Sequence, residues 1–141
     1  MRTKEYLLRV KVCDTHINNL MEELETLKEM VTKVTSTMKD SAVSGGGNKD
    51  KIGNAVAKIV DLQREINEAI DEYVDKKREV MATIEKVEDA NQLAVLHKRY
   101  IQYKPWEQIA CEMNFTYRNV CYIHGRALQK VSDLIKGETE E

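Results

Sequence analysis

The chain has 141 residues, of which 33% are charged and 6% aromatic, and its formal net charge is −2. This composition is typical of long helices with solvated faces and argues against a thick mixed core. No stretch approaches the roughly 18 apolar residues of a membrane span, and the charged residues 1–12 do not resemble a signal peptide. The three cysteines are an odd number and are interpreted as free thiols in a reducing compartment. We therefore expect a cytoplasmic protein without membrane contact.

The first segment, residues 3–38, carries apolar side chains at alternating steps of four and three. Ten positions follow this spacing, and all of them are apolar or aromatic. They are Tyr6, Val10, Cys13, Ile17, Leu20, Leu24, Leu27, Val31, Val34 and Met38. A heptad pattern sustained over this length predicts a long helix that packs against another helix.

A second segment, residues 52–87, repeats the spacing, with nine of eleven positions apolar or aromatic. The positions are Ile52, Val56, Ile59, Gln63, Ile66, Ile70, Tyr73, Lys77, Val80, Ile84 and Val87, so Gln63 and Lys77 are polar interruptions.

The connector, residues 39–51, contains three consecutive glycines and predicts a flexible loop. The two segments predict an antiparallel coiled-coil hairpin over residues 1–88. In the alternative, the two segments pair between chains. Because two helices alone bury little surface, the sequence favours a homodimer or a partner protein.

Residues 89–137 predict three shorter helices. The first helix is expected over Ala90–Tyr103, with Asp89 or Asn91 as its N-cap. Pro105 has no backbone N–H and suits the first turn of a second helix, Trp106–Met113. The third helix is expected from Tyr117 to about Ile135, followed by an acidic tail at 138–141.

The junction between the second and third of these helices has the spacing of a helix-turn-helix. Ala110 is small enough to let the two helices cross closely. Asn114 is the non-glycine residue that best tolerates a left-handed backbone, and Thr116 can cap the next helix. The predicted fold is therefore all-α: a long antiparallel helical hairpin followed by a three-helix helix-turn-helix domain. A generic three-helix cap on the hairpin is the alternative.

In a helix-turn-helix, the outward N-terminal half of the second helix enters the major groove. Arg118 can pair with guanine and Asn119 with adenine, whereas Arg126, Lys130 and Lys104 suit phosphates. Residues 97–137 contain seven basic and three acidic residues, a modest local positive excess. The candidate DNA-binding residues are Thr116, Tyr117, Arg118, Asn119, Cys121, Tyr122, Gly125, Arg126, Lys130, Lys104 and Trp106.

The sequence allows two roles for each of three residues in this region. Trp106 is as well suited to packing as to contacting a phosphate. Glu107 can pair with Arg126, or it can be a solvated acid favoured by the helix dipole. Gly125 is unfavourable inside a helix, so we expect either the DNA backbone or a neighbouring helix to approach it closely.

The stretch "RYIQYKPWEQIACEMNFTYRNVCYIHGRALQKV", residues 99–131, resembles region four of bacterial sigma factors. It is more similar to small sigma-factor-like proteins of phages and prophages in Gram-positive bacteria, whose helical hairpin also has a segment like "AVAKIVDLQREINEAID", residues 55–71. The resemblance implies a regulator of late phage genes that binds double-stranded DNA and host RNA polymerase. The chain lacks a second, DNA-melting domain, which favours an accessory activator over a complete sigma factor.

Other chemistries have weaker support in the sequence. Cys121 and His124 lie three residues apart, but no Cys-x-x-Cys pair supports a metal site. We expect no cofactor and no enzymatic activity, because neither a phosphate-binding loop nor a catalytic constellation is present.

Two alternative functions remain open. One is a DNA-packaging adaptor like a small terminase subunit, which requires a large ring, and the other is a coiled-coil interaction module that does not bind DNA.

Overall fold

The computed structural model describes residues 2–40 and 46–139, with side chains for all of these except 37–40, 46–49 and 139. Every element in these ranges is helical, which confirms the all-α class. The helices are α1 (Thr3–Asp40), α2 (Gly46–Glu85), α3 (Ala90–Leu96), α4 (Trp106–Met113) and α5 (Tyr117–Thr139). The chain continues from α3 through one π-helical turn, His97–Ile101.

The connector between α1 and α2 is shorter than the sequence predicts. Helix α1 extends through Asp40, and α2 begins at Gly46, so most of the predicted loop 39–51 is helical. Once a long helix is nucleated, each added residue gains a hydrogen bond, and polar residues or glycines at its ends can remain helical. The remaining part of the predicted loop, 41–45, lies outside the described residues.

The contacts divide the chain inside its two long helices. One compact unit is Asp14–Glu72, and the other consists of Met1–Cys13 and Tyr73–Glu141. The predicted domain boundary after residue 88 lies where the sequence pattern changes. The boundary between the two compact units instead reflects which residues pack together. The second unit therefore contains one end of α1, one end of α2 and all of α3, α4 and α5.

In the Asp14–Glu72 unit, α1 packs with the predicted face, whereas α2 does so at only three of its six predicted positions, Ile52, Ile59 and Ile66. Ile17 and Leu20 of α1 are buried, and the next four predicted positions on α1 are half-buried. Met38, the last predicted position, lies outside the described side chains. On α2, the predicted positions Val56, Gln63 and Ile70 are exposed. The inward positions one residue earlier are Ala55, Leu62 and Ala69.

The register of α2 differs because its sequence satisfies two heptad patterns. Both patterns place Ile59 and Ile66 inward. They differ at the position between these two residues, which is Gln63 in the predicted register and Leu62 in the observed one. The predicted register would bury the amide of Gln63, and an unpartnered amide is costly to desolvate. The observed register buries Leu62 there and leaves Gln63 in water.

The second unit has the more completely buried core. Leu7 and Val10 of α1 join residues of α2, α3 and α5 in one cluster, and Val87 belongs to it. Its other fully or nearly fully buried members are Val80, Ile84, Leu96, Tyr100, Ala127 and Val131. Tyr6 and Thr83 satisfy each other within this unit, because their hydroxyl oxygens lie 2.7 Å apart. The ends of the long helices therefore help to hold the three shorter helices in place.

Candidate nucleic-acid interface

The start and end of α4 follow from local chemistry. Pro105 occupies the N-cap position with φ −64° and ψ 153°, and its carbonyl accepts the hydrogen bond from the Ile109 amide. Asn114 ends the helix in the left-handed conformation, with φ 57° and ψ 38°. The Phe115 amide then donates back to the Ala110 carbonyl at 3.0 Å, which closes the helix end in a Schellman-type arrangement.

The turn from α4 to α5 has the predicted length of three residues, 114–116. The Thr116 hydroxyl oxygen accepts a hydrogen bond from the Asn119 amide at 3.1 Å, so Thr116 is the cap of α5. Asp89 caps α3 in the same way, because its carboxylate accepts a hydrogen bond from the Gln92 amide at 2.9 Å. Because the Thr116 oxygen only accepts in this cap, its O–H proton is still available to donate to a ligand.

A separate apolar cluster fixes α4 against α5. Its buried members are Val95, Ile109, Ala110 and Val120, and the half-buried Phe115 and Ile123 pack against them. Ala110 lies where the two helices approach, as the sequence predicts. The helix-turn-helix arrangement is thus present, with a buried apolar cluster behind α5.

The outward face of the first turns of α5 is open to solvent. Tyr117 and Tyr122 are 54% and 61% exposed, and Arg118, Asn119 and Cys121 are also exposed. The Arg118 guanidinium forms no ion pair or hydrogen bond with any part of the chain that the structure describes. The charge of neighbouring Cys121 is the main cause that raises the pKa of Tyr117. This face therefore presents phenols, an amide and an uncommitted cation.

Arg126 is positioned by a side chain of its own helix. Its Nη1 donates to the Tyr122 hydroxyl at 2.8 Å, and its guanidinium carbon lies 5.7 Å from the centroid of the Tyr122 ring. The predicted pair between Glu107 and Arg126 does not form in the described structure, because Tyr122 lies one turn before Arg126 on the same face. Lys130 follows one further turn along α5 and is exposed.

Lys104 and Trp106 have partners within the domain. The Glu112 carboxylate lies 2.7 Å from the Lys104 ammonium and 3.3 Å from that of Lys98. The hydrogen bond from Lys104 is the main cause that lowers the pKa of Glu112. Trp106 is half-buried, with the Arg99 guanidinium 4.5 Å from its ring centroid. Contact with a phosphate by either predicted residue would compete with these interactions.

A buried polar cluster behind α5 was not predicted. The His124 Nε2 lies 2.7 Å from the Tyr100 hydroxyl, and the edge of the Trp106 ring packs 4.5 Å from the imidazole, centroid to centroid. Burial lowers the pKa of His124 to about 4, with smaller contributions from the positive charges of Lys4 and Arg99. The imidazole is therefore neutral near pH 7.

One signal in the sequence could have revealed this cluster. His124 lies on the apolar face of α5, between Val120 and Ala127, and a polar side chain in such a position needs a partner. The partner could not be identified locally, because Tyr100 lies in the π-helical turn of a different element.

Further contacts hold the turn before α4 in place. Tyr103 adopts φ 57°, a left-handed conformation that redirects the chain toward α4. The Arg99 Nη1 donates to the Lys104 carbonyl at 3.0 Å, and the same guanidinium lies over the Trp106 ring. These contacts join the turn to α4, and the bond between Tyr100 and His124 joins it to α5.

Gly125 lies on the exposed side of α5 with free space around it. A Cβ atom added there would meet no atom of another residue within 4 Å, apart from its chain neighbours and the backbone of its own helix. The neighbouring-helix explanation for this glycine is therefore excluded among the described residues. The other expectation, an approach by the DNA backbone, stays a prediction.

Metal and membrane chemistry have no counterpart in the described ranges. Cys111 and Cys121 are exposed and Cys13 is half-buried, and no disulfide joins any of them within the described residues. Among the side chains that the structure describes, no three of His, Cys, Asp or Glu converge as metal ligands. None of the helices in those ranges combines the length and apolarity needed to cross a bilayer.

The fold and this face define a helical hairpin protein with a C-terminal helix-turn-helix. Residues 32–132 match the model of the family described as "Protein of unknown function (DUF1492)". The match covers more than half of the chain, and the chain belongs to this family. No curated protein and no solved structure matches it.

Proposed function

We propose that this protein is a DNA-binding transcription regulator whose α5 enters the major groove of double-stranded DNA. The main observation in support is the combination of a rigid helix-turn-helix with an exposed, uncommitted Arg118 at the start of α5. This is the part of the second helix that meets base edges in such motifs. Asn119 is exposed beside it and can read adenine.

The charge distribution on α5 also supports a polyanionic ligand. Arg118, Arg126 and Lys130 lie on its exposed surface, and the first acidic residue of the helix is Asp133. Arg118, Tyr122, Arg126 and Lys130 are spaced four apart and so form one line along the helix. A cationic line beside base-reading side chains is what phosphate positioning requires.

Arg118→Ala and Lys130→Ala should weaken DNA binding in different ways. Loss of a bidentate base contact at Arg118 should cost about 1–3 kcal/mol and relax sequence preference. Loss of a phosphate contact at Lys130 should weaken all sequences alike and lower the salt slope by about one unit. The measurement is a salt titration of binding to a selected site and to a scrambled one.

Arg64→Ala is the matched control, because Arg64 is exposed on α2 in the Asp14–Glu72 unit. All three variants should keep the helical signal and melting temperature, since none of these side chains is buried. If both α5 variants bind both DNAs as the parent does, α5 is not the helix that contacts the bases. This result would favour the interaction module that does not bind DNA.

We further propose that the regulator acts with host RNA polymerase as an activator of phage or prophage late genes. The support is the resemblance of residues 99–131 to sigma region four. Immobilised protein should therefore retain purified polymerase, with promoter DNA increasing recovery. A pull-down that recovers no polymerase, with or without promoter DNA, would shift the balance toward the packaging adaptor.

A homodimer through the hairpin remains the proposed oligomeric state. Val56, Val60 and Ile70 of α2 are exposed within the Asp14–Glu72 unit. They provide apolar surface, beside the inward face, that a second hairpin would cover. A solution mass of two chains agrees with this proposal, whereas a large ring would favour the packaging adaptor.

A further inference from the structure

Gly125 is the least explained residue on the outward face of α5. Glycine inside a helix destabilises it relative to alanine, because the flexible backbone loses more entropy on folding. The cost is usually tolerated where a Cβ would clash or where φ must be positive. Neither reason applies here, because a Cβ would meet open space and no glycine of the described chain has positive φ.

The surroundings of Gly125 indicate the chemistry of an external ligand. Gly125 is flanked by Tyr122, one turn before it on the same side of the helix, and by Arg126. The Tyr122 hydroxyl accepts a hydrogen bond from the Arg126 Nη1, which uses one of the five guanidinium donors. The remaining donors are available, and no acidic residue precedes Asp133 on the helix. A cationic and phenolic border around a bare stretch of backbone suits an anion better than an apolar protein surface.

We infer that the sugar–phosphate backbone of double-stranded DNA passes against α5 at Gly125, close enough that a Cβ would hold it away. Arg126, held in place by Tyr122, pairs with the phosphate beside that point. The inference rests on the proposed function and assigns to Gly125 a positioning role at that site. It predicts that the glycine lowers the stability of the free protein and strengthens DNA binding.

Gly125→Ala should therefore change folding and binding in opposite directions. The melting temperature should rise by about 4 °C, because a helix-favouring residue enters open space. Affinity should fall by about tenfold, the equivalent of roughly one charge-assisted hydrogen bond, on both a selected and a scrambled DNA. The measurements are thermal unfolding followed by circular dichroism, and fluorescence anisotropy of labelled duplexes.

Gly137→Ala is the matched control. Gly137 is also an exposed helical glycine of α5 where an added Cβ would meet open space, but it lies more than three turns further on. Its replacement should not lower melting temperature or DNA affinity. Gly125→Leu should weaken DNA binding further than Gly125→Ala, because the larger side chain holds the DNA further away.

Any of the following results would overturn the inference. Parent-like DNA affinity of Gly125→Ala would show that DNA does not approach the helix there, and a lower melting temperature would show that the space is needed by the fold. A loss confined to the selected site would indicate a base edge in place of the backbone. Unchanged DNA binding with lost polymerase capture would assign Gly125 to a protein contact. If the parent binds no DNA, the proposed function fails as well, which distinguishes that failure from the other four.

Discussion

Leu7→Ala should lower the free energy of unfolding by about 3 kcal/mol, although Leu7 lies far along the chain from the helix-turn-helix. Leu7 is 0% exposed and belongs to the same buried cluster as Leu96, Ala127 and Val131. Truncation removes transfer free energy and leaves a cavity that the surrounding helices fill only in part. The measurement is urea unfolding followed by circular dichroism, compared at constant m-value.

The neighbouring leucine provides an unusually close control. Leu8 is 39% exposed, so Leu8→Ala should change stability by no more than about 0.5 kcal/mol. Equal effects of the two substitutions would contradict the packing of this end of α1 into the core. If Leu7→Ala weakens DNA binding only in proportion to the unfolded fraction, the first turns of α1 support the domain without contacting DNA.

The second large effect should appear in acid and should depend on His124. The pKa of this imidazole is lowered to about 4 in the folded protein, mainly by burial, against 6.5 for the side chain in an unfolded chain. Below pH 6.5 the unfolded chain takes up a proton that the folded one does not. Stability should therefore decrease as pH falls from 6.5 to about 4 and become independent of this group below that. The full loss should be about 3 kcal/mol.

His124→Gln should remove this dependence, because a glutamine amide does not titrate and can still hydrogen-bond the Tyr100 hydroxyl. The comparison is the slope of unfolding free energy against pH between 6.5 and 4, in the parent and the variant. His16→Gln is the control, since His16 is exposed on α1. A parent slope that persists in His124→Gln would show that carboxylates, and not this imidazole, cause the loss.

Burial lowers the pKa of His124 most, and the charged groups around it act in the same direction. Lys4 of α1 and Arg99 of the π-helical turn both oppose a positive imidazole. The Tyr100 hydroxyl, 2.7 Å from Nε2, can donate to the neutral ring or accept from it. The pKa of Tyr100 is itself raised by burial, so the phenol also stays neutral near pH 7. The result is an uncharged polar pair that links α5 to the turn before α4.

The features that the sequence determined by itself are those whose physics is local. Pro105 fixes φ before α4, Asn114 tolerates the left-handed backbone that ends it, and Thr116 caps α5 through its own side chain. These interactions span only a few residues, so the bounds of α4 and the three-residue turn could be predicted. The heptad pattern of α1 was also sufficient, because only one register places apolar residues inward along it.

The tertiary structure decided what depends on residues distant in the chain. Two registers were open to α2, and the cost of burying Gln63 instead of Leu62 against another helix selected between them. The partners of Lys104 and His124 likewise follow from how the elements pack, because a charged or polar side chain takes the nearest complementary group in space. For the same reason, only the structure could show that no residue of the described chain fills the space beside Gly125.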